Sequence, residues 1–195
     1  MIKTKRLIVS AICLAGCMLL PFVSGQIPEI GRMLSPMHLP VLICGFVCGW
    51  QYGLALGAIA PILRFFIFGM PVLFPVGLAM TFELATYGLF TGLLYQLFPK
   101  SKLVYEKNSL NHLSPKEKPS YAFIYLNLLL SMIAGRLVWG LAMTIISGVS
   151  TVPFSVHIFI TSAVITAIPA IILQFIIVPP CVIILKKVGC FYNEK

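Results

Sequence analysis

An otherwise apolar stretch from Pro36 to Tyr87 carries three ionisable side chains, His38, Arg64 and Glu83. An ionisable group inside a lipid bilayer is costly, so such groups usually face a cavity or a partner and mark function. An imidazole, a guanidinium and a carboxylate could bind a polar solute, neutralise one another or coordinate a metal ion. Which chemistry applies depends on the depth at which each side chain lies in the membrane.

The composition is that of a polytopic membrane protein. Of the 195 residues, 59% are hydrophobic and 10% are charged, and the mean hydropathy is +1.02. These values lie far outside the range of soluble proteins, and the length accommodates one domain, residues 1–195. The formal net charge is +9. However, the basic residues flank apolar runs, so they act as topology signals and do not predict a nucleic-acid surface.

The cysteine positions do not predict a disulfide framework or a metal site. Five of the six cysteines lie within apolar segments and none belongs to a CxxC motif: Cys13, Cys17, Cys44, Cys48 and Cys181. The first four form two i,i+4 pairs, so each pair shares one face of a helix. We expect these side chains to be small buried hydrophobes.

Six apolar segments predict an all-α membrane protein with six transmembrane helices, at about 7–23, 37–50, 53–68, 76–98, 121–147 and 157–185. The run 37–68 is too long for one span of about 20 residues. It breaks near Gly49–Gly53, which predicts two short helices in a hairpin. The first segment also resembles a signal peptide, but we expect it to be retained because it carries an interaction motif.

The distribution of basic residues predicts that both termini are cytoplasmic. The N-terminus, the polar segment 99–120 and the C-terminal tail hold eleven of the fourteen Lys and Arg residues, whereas the loops on the other side hold only Arg32. Cytoplasmic loops are enriched in Lys and Arg. A single span over 37–68 would put two basic clusters on opposite sides, so the charges also favour the hairpin.

This topology places every ionisable residue of the spans in the outer half of the membrane. They are His38, Arg64, Glu83, Arg136 and His157. The inner half is then a sealed apolar floor below a polar pocket that opens to the outside. A channel would need a polar path across the whole thickness, and a proton-coupled carrier would need a relay near the midplane.

The predicted pocket carries one net positive charge, from Arg64 and Arg136 against Glu83. A small anionic solute such as a carboxylate would neutralise it. Trp139 follows Arg136 by three positions on the same helix face, where it could wall a small-molecule site, although Trp is also ordinary at a membrane interface. Alternatively, Arg64 and Glu83 pair only with each other, which would leave Arg136 without a partner.

No feature of the sequence predicts an enzyme. His38 and His157 lie near helix ends, where a solvated capping position is common, and a metal site that joins them to Glu83 has no motif spacing. The chain has no GxxxxGK[ST] phosphate loop, no HExxH motif and no Asp. An ATPase or metallohydrolase site is therefore excluded, and no cofactor or metal is expected.

Ala11 and Ala15 form a small-xxx-small pair on the first span, a spacing that permits close approach of another helix. The runs that accompany this pair are MHLPVLICGFVCG, APILRFFIFGMPVLFP, FELATYG and GRLVWG. Together with the length and the six predicted spans, they resemble the substrate-binding S component of an energy-coupling factor (ECF) vitamin transporter. Among these proteins, the pantothenate-type members are the most similar.

The resemblance implies vitamin capture at a bacterial cell membrane. A subunit of this kind binds its vitamin from outside, docks on a transmembrane coupling subunit driven by two ABC ATPases, and topples to release the vitamin inward. Ala11 and Ala15 correspond to the docking pattern, and the loop 24–35 to the segment that helps cover the pocket. Pantothenate is a small carboxylate, which agrees with the net positive pocket.

Other ligands and other classes of function stay open at this point. Biotin, lipoate or folate would satisfy the charge as well, pyridoxine or a hydroxymethylpyrimidine less well, and riboflavin is a further alternative. A stand-alone secondary carrier would need internal repeats and a midplane ion site, and we find neither in the sequence. An accessory subunit without a ligand would not explain two arginines held in lipid.

Overall fold

The computed structural model describes residues 2–23, 36–97, 103–107, 113–117, 121–149, 161 and 167–187. Within these ranges the chain forms six α-helices, one short π-helix and a two-stranded hairpin. The helices are α1 Ile2–Val23, α2 His38–Cys48, α3 Trp50–Phe68, the π-helix Leu73–Gly77, α4 Leu78–Leu97, α5 Tyr121–Val149 and α6 Ile168–Lys187.

Five helical segments of the described chain are long and apolar enough to cross a membrane: α1, α3, the π-helix with α4, α5, and α6. Their outward faces carry large apolar side chains such as Phe66, Ile145 and Ile176, as lipid contact requires. The other helix, α2, has 11 residues, about 16 Å at 1.5 Å per residue. This is shorter than the bilayer core of about 30 Å, so its length alone does not identify α2 as a sixth span.

The break that the sequence predicts within 37–68 lies at Gly49, where α2 ends and α3 begins. Gly49 has φ 95° and ψ 169°, a conformation that glycine adopts without the steric cost of a Cβ. The two helices fold back on each other, since Gly45 of α2 lies against Gly53 of α3. We call the end of the bundle at Gly49 the Gly49 end, and the end where α2 begins the His38 end.

The short helix α2 lies at the centre of the described bundle. It contacts α1, α3, α4 and α6, and each of its residues except Ile43 is buried. A helix that is apolar on all sides is expected to be buried on all sides. Its first residue, His38, is therefore covered as completely as its middle.

Helix α1 packs against α2 through cysteines. The Cys17 thiol donates to the Met37 carbonyl at 3.5 Å, and the Cys48 thiol donates to the Arg6 carbonyl at 3.6 Å. The helices are therefore antiparallel. The cysteines that the sequence predicts to be small buried hydrophobes, Cys13, Cys17, Cys44 and Cys48, are buried and unoxidised, while Cys181 is half-buried.

Glycines allow the backbones of α2, α3 and α4 to touch. A Cβ added to Gly53 would lie 2.5 Å from the Gly88 carbonyl oxygen and 2.8 Å from the Cα of Gly45. A Cβ added to Gly88 would overlap the backbone of Gly53 in turn. Lipid offers no hydrophobic drive for helix association, so close packing of small residues takes its place. The glycine pairs of these helices thus serve internal packing.

The polar segment between α4 and α5 contains an antiparallel hairpin of β1, Leu103–Lys107, and β2, Leu113–Glu117, with Leu103 opposite Glu117. The composition of this segment predicts only a polar connection, and the hairpin is a further feature of the structure. Pairing two short strands satisfies their backbone groups locally. The prediction of an all-α fold therefore describes the apolar segments and not this polar segment.

Several predictions fall outside the described residues. The loop 24–35 and the tail after Lys187 are among them. So are His157 and most of the predicted start of the sixth span, because α6 begins at Ile168.

The glycine contact between α3 and α4 makes Gly88→Ala a test of the packing. The new methyl group would meet backbone atoms of Gly53 that cannot rotate away, so the helices must separate. We expect a loss of about 1–3 kcal/mol, as for other overpacked sites, measured as a lower thermal midpoint in detergent.

Gly148→Ala is the matched control, since a Cβ there meets nothing within 4 Å. Removing a helical glycine in open space should be neutral or slightly stabilising. If Gly88→Ala melts at the same temperature as Gly148→Ala, the close approach of α3 and α4 is wrong.

Candidate ligand-binding site

Three polar side chains, one from each of three helices, converge on one carboxylate at the His38 end. Glu83 of α4 is 1% exposed. Its Oε1 lies 3.0 Å from Arg136 Nη1 of α5 and accepts a hydrogen bond from the Tyr87 hydroxyl at 2.8 Å. His38 Nε2 of α2 lies 3.6 Å from the same oxygen. We call His38, Glu83, Tyr87 and Arg136 the carboxylate cluster.

The ion pair differs from the alternative in which Arg64 neutralises Glu83. Among the described residues, the cation that pairs with Glu83 is Arg136, and His38 Nε2 lies 3.6 Å from the same carboxylate. The structure therefore does not show the alternative in which Arg64 and Glu83 pair only with each other and leave Arg136 without a partner. The reason lies in helix register, because α5 runs antiparallel to α4 and brings Arg136 to the level of Glu83.

His38 is not the solvated helix cap that its position near a helix end predicts. It is 2% exposed, and its ring centroid lies 5.4 Å from that of Tyr87. Neither ring nitrogen makes a hydrogen bond within the part of the chain that the structure describes. A buried imidazole with two unused nitrogens has the capacity to donate to a ligand and to accept from one.

Arg64 lies at the same end of the bundle but contacts a different helix. It is 8% exposed, and its Nη1 donates to the Met18 carbonyl of α1 at 3.2 Å. Its Cζ lies over the Phe68 ring, 5.6 Å from the centroid, within the range of a cation–π contact. A guanidinium has five N–H donors, so these contacts leave Arg64 with spare capacity.

Arg136 also keeps unused hydrogen-bonding capacity. Its side chain is 19% exposed, and its Nε has no hydrogen-bond partner among the described residues. Trp139 follows one turn later on α5 and is half-buried. The structure therefore places both residues on one helix face, as their spacing predicts, with the guanidinium partly accessible.

The floor below the cluster is not wholly apolar, contrary to the sequence prediction. Asn127 Nδ2 donates to the Thr91 carbonyl at 3.0 Å, and Ser131 Oγ donates to Asn127 Oδ1 at 3.2 Å. All three residues are buried. The prediction considers only ionisable groups, whereas neutral groups that satisfy one another can also lie in a membrane interior.

The hydrogen bond between Asn127 of α5 and Thr91 of α4 supports the register of these helices that the ion pair needs. Asn127 meets Thr91 near one end of the interface, and Arg136 meets Glu83 near the other. Between these points, a Cβ on Gly135 would collide with the Tyr87 ring. The i,i+4 spacing of Glu83 and Tyr87 is a sequence signal for their contact, but nothing local to α5 predicts the role of Asn127.

The arrangement suits the binding of an anion. At this end the described residues contribute two arginines and one glutamate. The Glu83 carboxylate already pairs with Arg136 and accepts a hydrogen bond from Tyr87. Hydrogen-bonding capacity remains on Arg64, Arg136 and His38. No group of three or more His, Cys, Asp or Glu residues that could hold a metal ion occurs among the described residues.

The chain was compared with known families, curated proteins and solved structures. The model of one family, described as ECF transporter, substrate-specific component, matches residues 5–182. No curated protein and no solved structure gives a significant match. The match covers α2 to α5 completely, most of α1 and α6, and the whole carboxylate cluster. The chain therefore belongs to the ECF transporter substrate-specific component family, whose members are transport subunits and not enzymes.

Proposed function

We propose that this chain captures a vitamin carboxylate, with pantothenate as the preferred ligand, from the extracellular side of a bacterial cell membrane. Both termini are then cytoplasmic, and the His38 end faces outward. The observation that carries the proposal is the surplus of buried positive charge at that end. Arg64, Glu83, Arg136, His38 and Trp139 are the proposed ligand-binding residues.

The charge balance favours a carboxylate over a neutral ligand. Glu83 is engaged by Arg136 and Tyr87, so it cannot also neutralise Arg64. A ligand carboxylate would supply the missing negative charge in a site of low dielectric, where charge pairs are strong. Arginine binds carboxylates through paired N–H donors, and both arginines have donors to spare.

The face of α1 that points away from the helix bundle supports docking on the coupling subunit of the ECF module. Ala11 and Ala15 are exposed, and so are Ile8 and Ile12 beside them. The opposite face of α1 holds Cys17 against α2. A stripe of small residues on the free face of a membrane helix suits close approach of a partner helix. The two ABC ATPases would act through that coupling subunit.

The first prediction concerns the ligand. Purified protein in detergent should bind pantothenate with sub-micromolar affinity and without ATP. Isothermal titration against pantothenate, biotin, lipoate, folate, riboflavin and pyridoxine tests this. Heat with another member in place of pantothenate would correct the ligand alone. No heat with any member would refute capture of a vitamin.

The second prediction concerns Arg136. Arg136→Ala should weaken ligand binding by about 2–5 kcal/mol, which is about 30-fold to several thousand-fold. Because this change also leaves Glu83 without its main partner, the double variant Glu83→Gln, Arg136→Gln is needed, since it leaves no unpaired buried charge. Titration and thermal melting should be measured for both. Unchanged affinity in both variants would remove Arg136 from the site.

The third prediction concerns docking. Ala11→Trp or Ala15→Trp should leave ligand affinity intact, because these side chains point away from the bundle, but should abolish vitamin uptake by cells. Ile176→Trp on α6 is the matched control, since Ile176 is also highly exposed. Uptake that persists in the alanine variants would show that this face of α1 does not dock.

A further inference from the structure

We infer that Arg64 is a positioning residue that links ligand occupancy to helix α1, the helix with the proposed docking face. This inference rests on the proposed function and extends it. From its place in the sequence, Arg64 is predicted to bind the ligand or to pair with Glu83. The structure adds a contact that neither interpretation includes, the hydrogen bond from Arg64 Nη1 to the Met18 carbonyl.

This hydrogen bond is a contact between α1 and α3 that has a charged donor. By contrast, the contacts of α1 with α2 at Cys17 and Cys48 are thiol bonds of 3.5 Å and 3.6 Å, and thiols are weak donors. A hydrogen bond with a charged partner contributes more than a neutral one. Arg64 therefore gives the last turns of α1 a charge-assisted hydrogen bond to α3.

The contact also lies beside the carboxylate cluster. Met18 follows Cys17, whose thiol bonds the Met37 carbonyl. Met37 precedes His38, which lies 3.6 Å from Glu83. Two short steps thus connect the acceptor of Arg64 to the cluster. These contacts place the guanidinium at the same end of the bundle as the cluster.

The shape of the guanidinium allows one side chain to serve both partners. Nη1 is used by Met18, while Phe68 covers one face of the group. The remaining N–H donors lie in the plane of a rigid fork, which matches a carboxylate. A ligand carboxylate on that edge would fix the guanidinium, and the fixed guanidinium would hold the Met18 carbonyl and the end of α1.

The consequence is that ligand binding stiffens α1 from its last turns. The same helix presents Ala11 and Ala15 outward, two turns or less before Met18. A ligand that fixes one end of α1 therefore also fixes the orientation of the proposed docking face. By linkage, a coupling subunit that prefers the fixed orientation binds the ligand-loaded protein more tightly.

Hydrogen exchange of the α1 amides tests this inference. Wild-type protein and Arg64→Gln are compared with and without pantothenate, or whichever panel vitamin gives heat, at saturating concentration so that changes in affinity do not matter. In the wild type, ligand should slow exchange in residues 14–23 by about 5- to 150-fold, the usual range of coupling between sites. In Arg64→Gln, ligand at saturation should leave that exchange unchanged.

Two further variants distinguish coupling through Arg64 from a general effect of a pocket substitution on the exchange of α1. Arg64→Lys keeps the charge, but one ammonium on a flexible stem cannot hold two acceptors in fixed geometry, so protection should be lost there too. Arg136→Lys alters the pocket without touching α1, so its protection at saturation should stay. Equal protection of α1 in wild type and in both Arg64 variants would overturn the inference, as would binding without protection in the wild type. Absence of binding to every vitamin would overturn the proposed function and this inference together.

Discussion

The ion pair between the buried carboxylate of Glu83 and the half-buried Arg136 is the interaction on which the site depends. A lone carboxylate in the membrane interior is prohibitively costly, and a charge that loses its buried partner destabilises a protein strongly. The pair forms because Asn127 and Thr91 fix the register of α4 and α5. Its geometry also decides what remains for a ligand, since Glu83 is satisfied within the protein and Arg64 is not neutralised by it.

A second constraint is the close approach of three helix backbones. His38 reaches the level of Glu83 because α2 packs against α4 at Gly45 and Gly88, and α3 closes the hairpin at Gly53. Side chains larger than hydrogen would separate these helices and move the imidazole away from the carboxylate. Packing at the glycines therefore sets the distance between α2 and α4, and the position of His38 beside the Glu83–Arg136 pair depends on that distance.

The sequence predicts the parts of this arrangement that depend on local composition. Apolar runs predict the long helices, and Gly49 marks the break between α2 and α3. Arg64, Glu83 and Arg136 can be identified because charged residues are rare within membrane spans. What it could not predict depends on register between helices that are distant in sequence. The pairing of Glu83 with Arg136 is one example, and the burial of His38, which follows from the central place of α2, is another. The hydrogen bonds of Asn127 with Thr91 and Ser131 join neutral groups, so a search for ionisable residues does not find them.

The separation of the two arginines has a physical consequence for a transport subunit without its own ATPase site. Such a subunit must bind its ligand tightly and later release it, so its affinity has to depend on a conformation that a partner can change. Arg136 is fixed within the bundle by Glu83, whereas Arg64 is tied to the backbone of α1. A partner that moves α1 would shift Arg64 relative to Arg136 and would weaken a carboxylate held by both. Because coupling free energy is reciprocal, the same contact that lets ligand order α1 would let displacement of α1 expel the ligand.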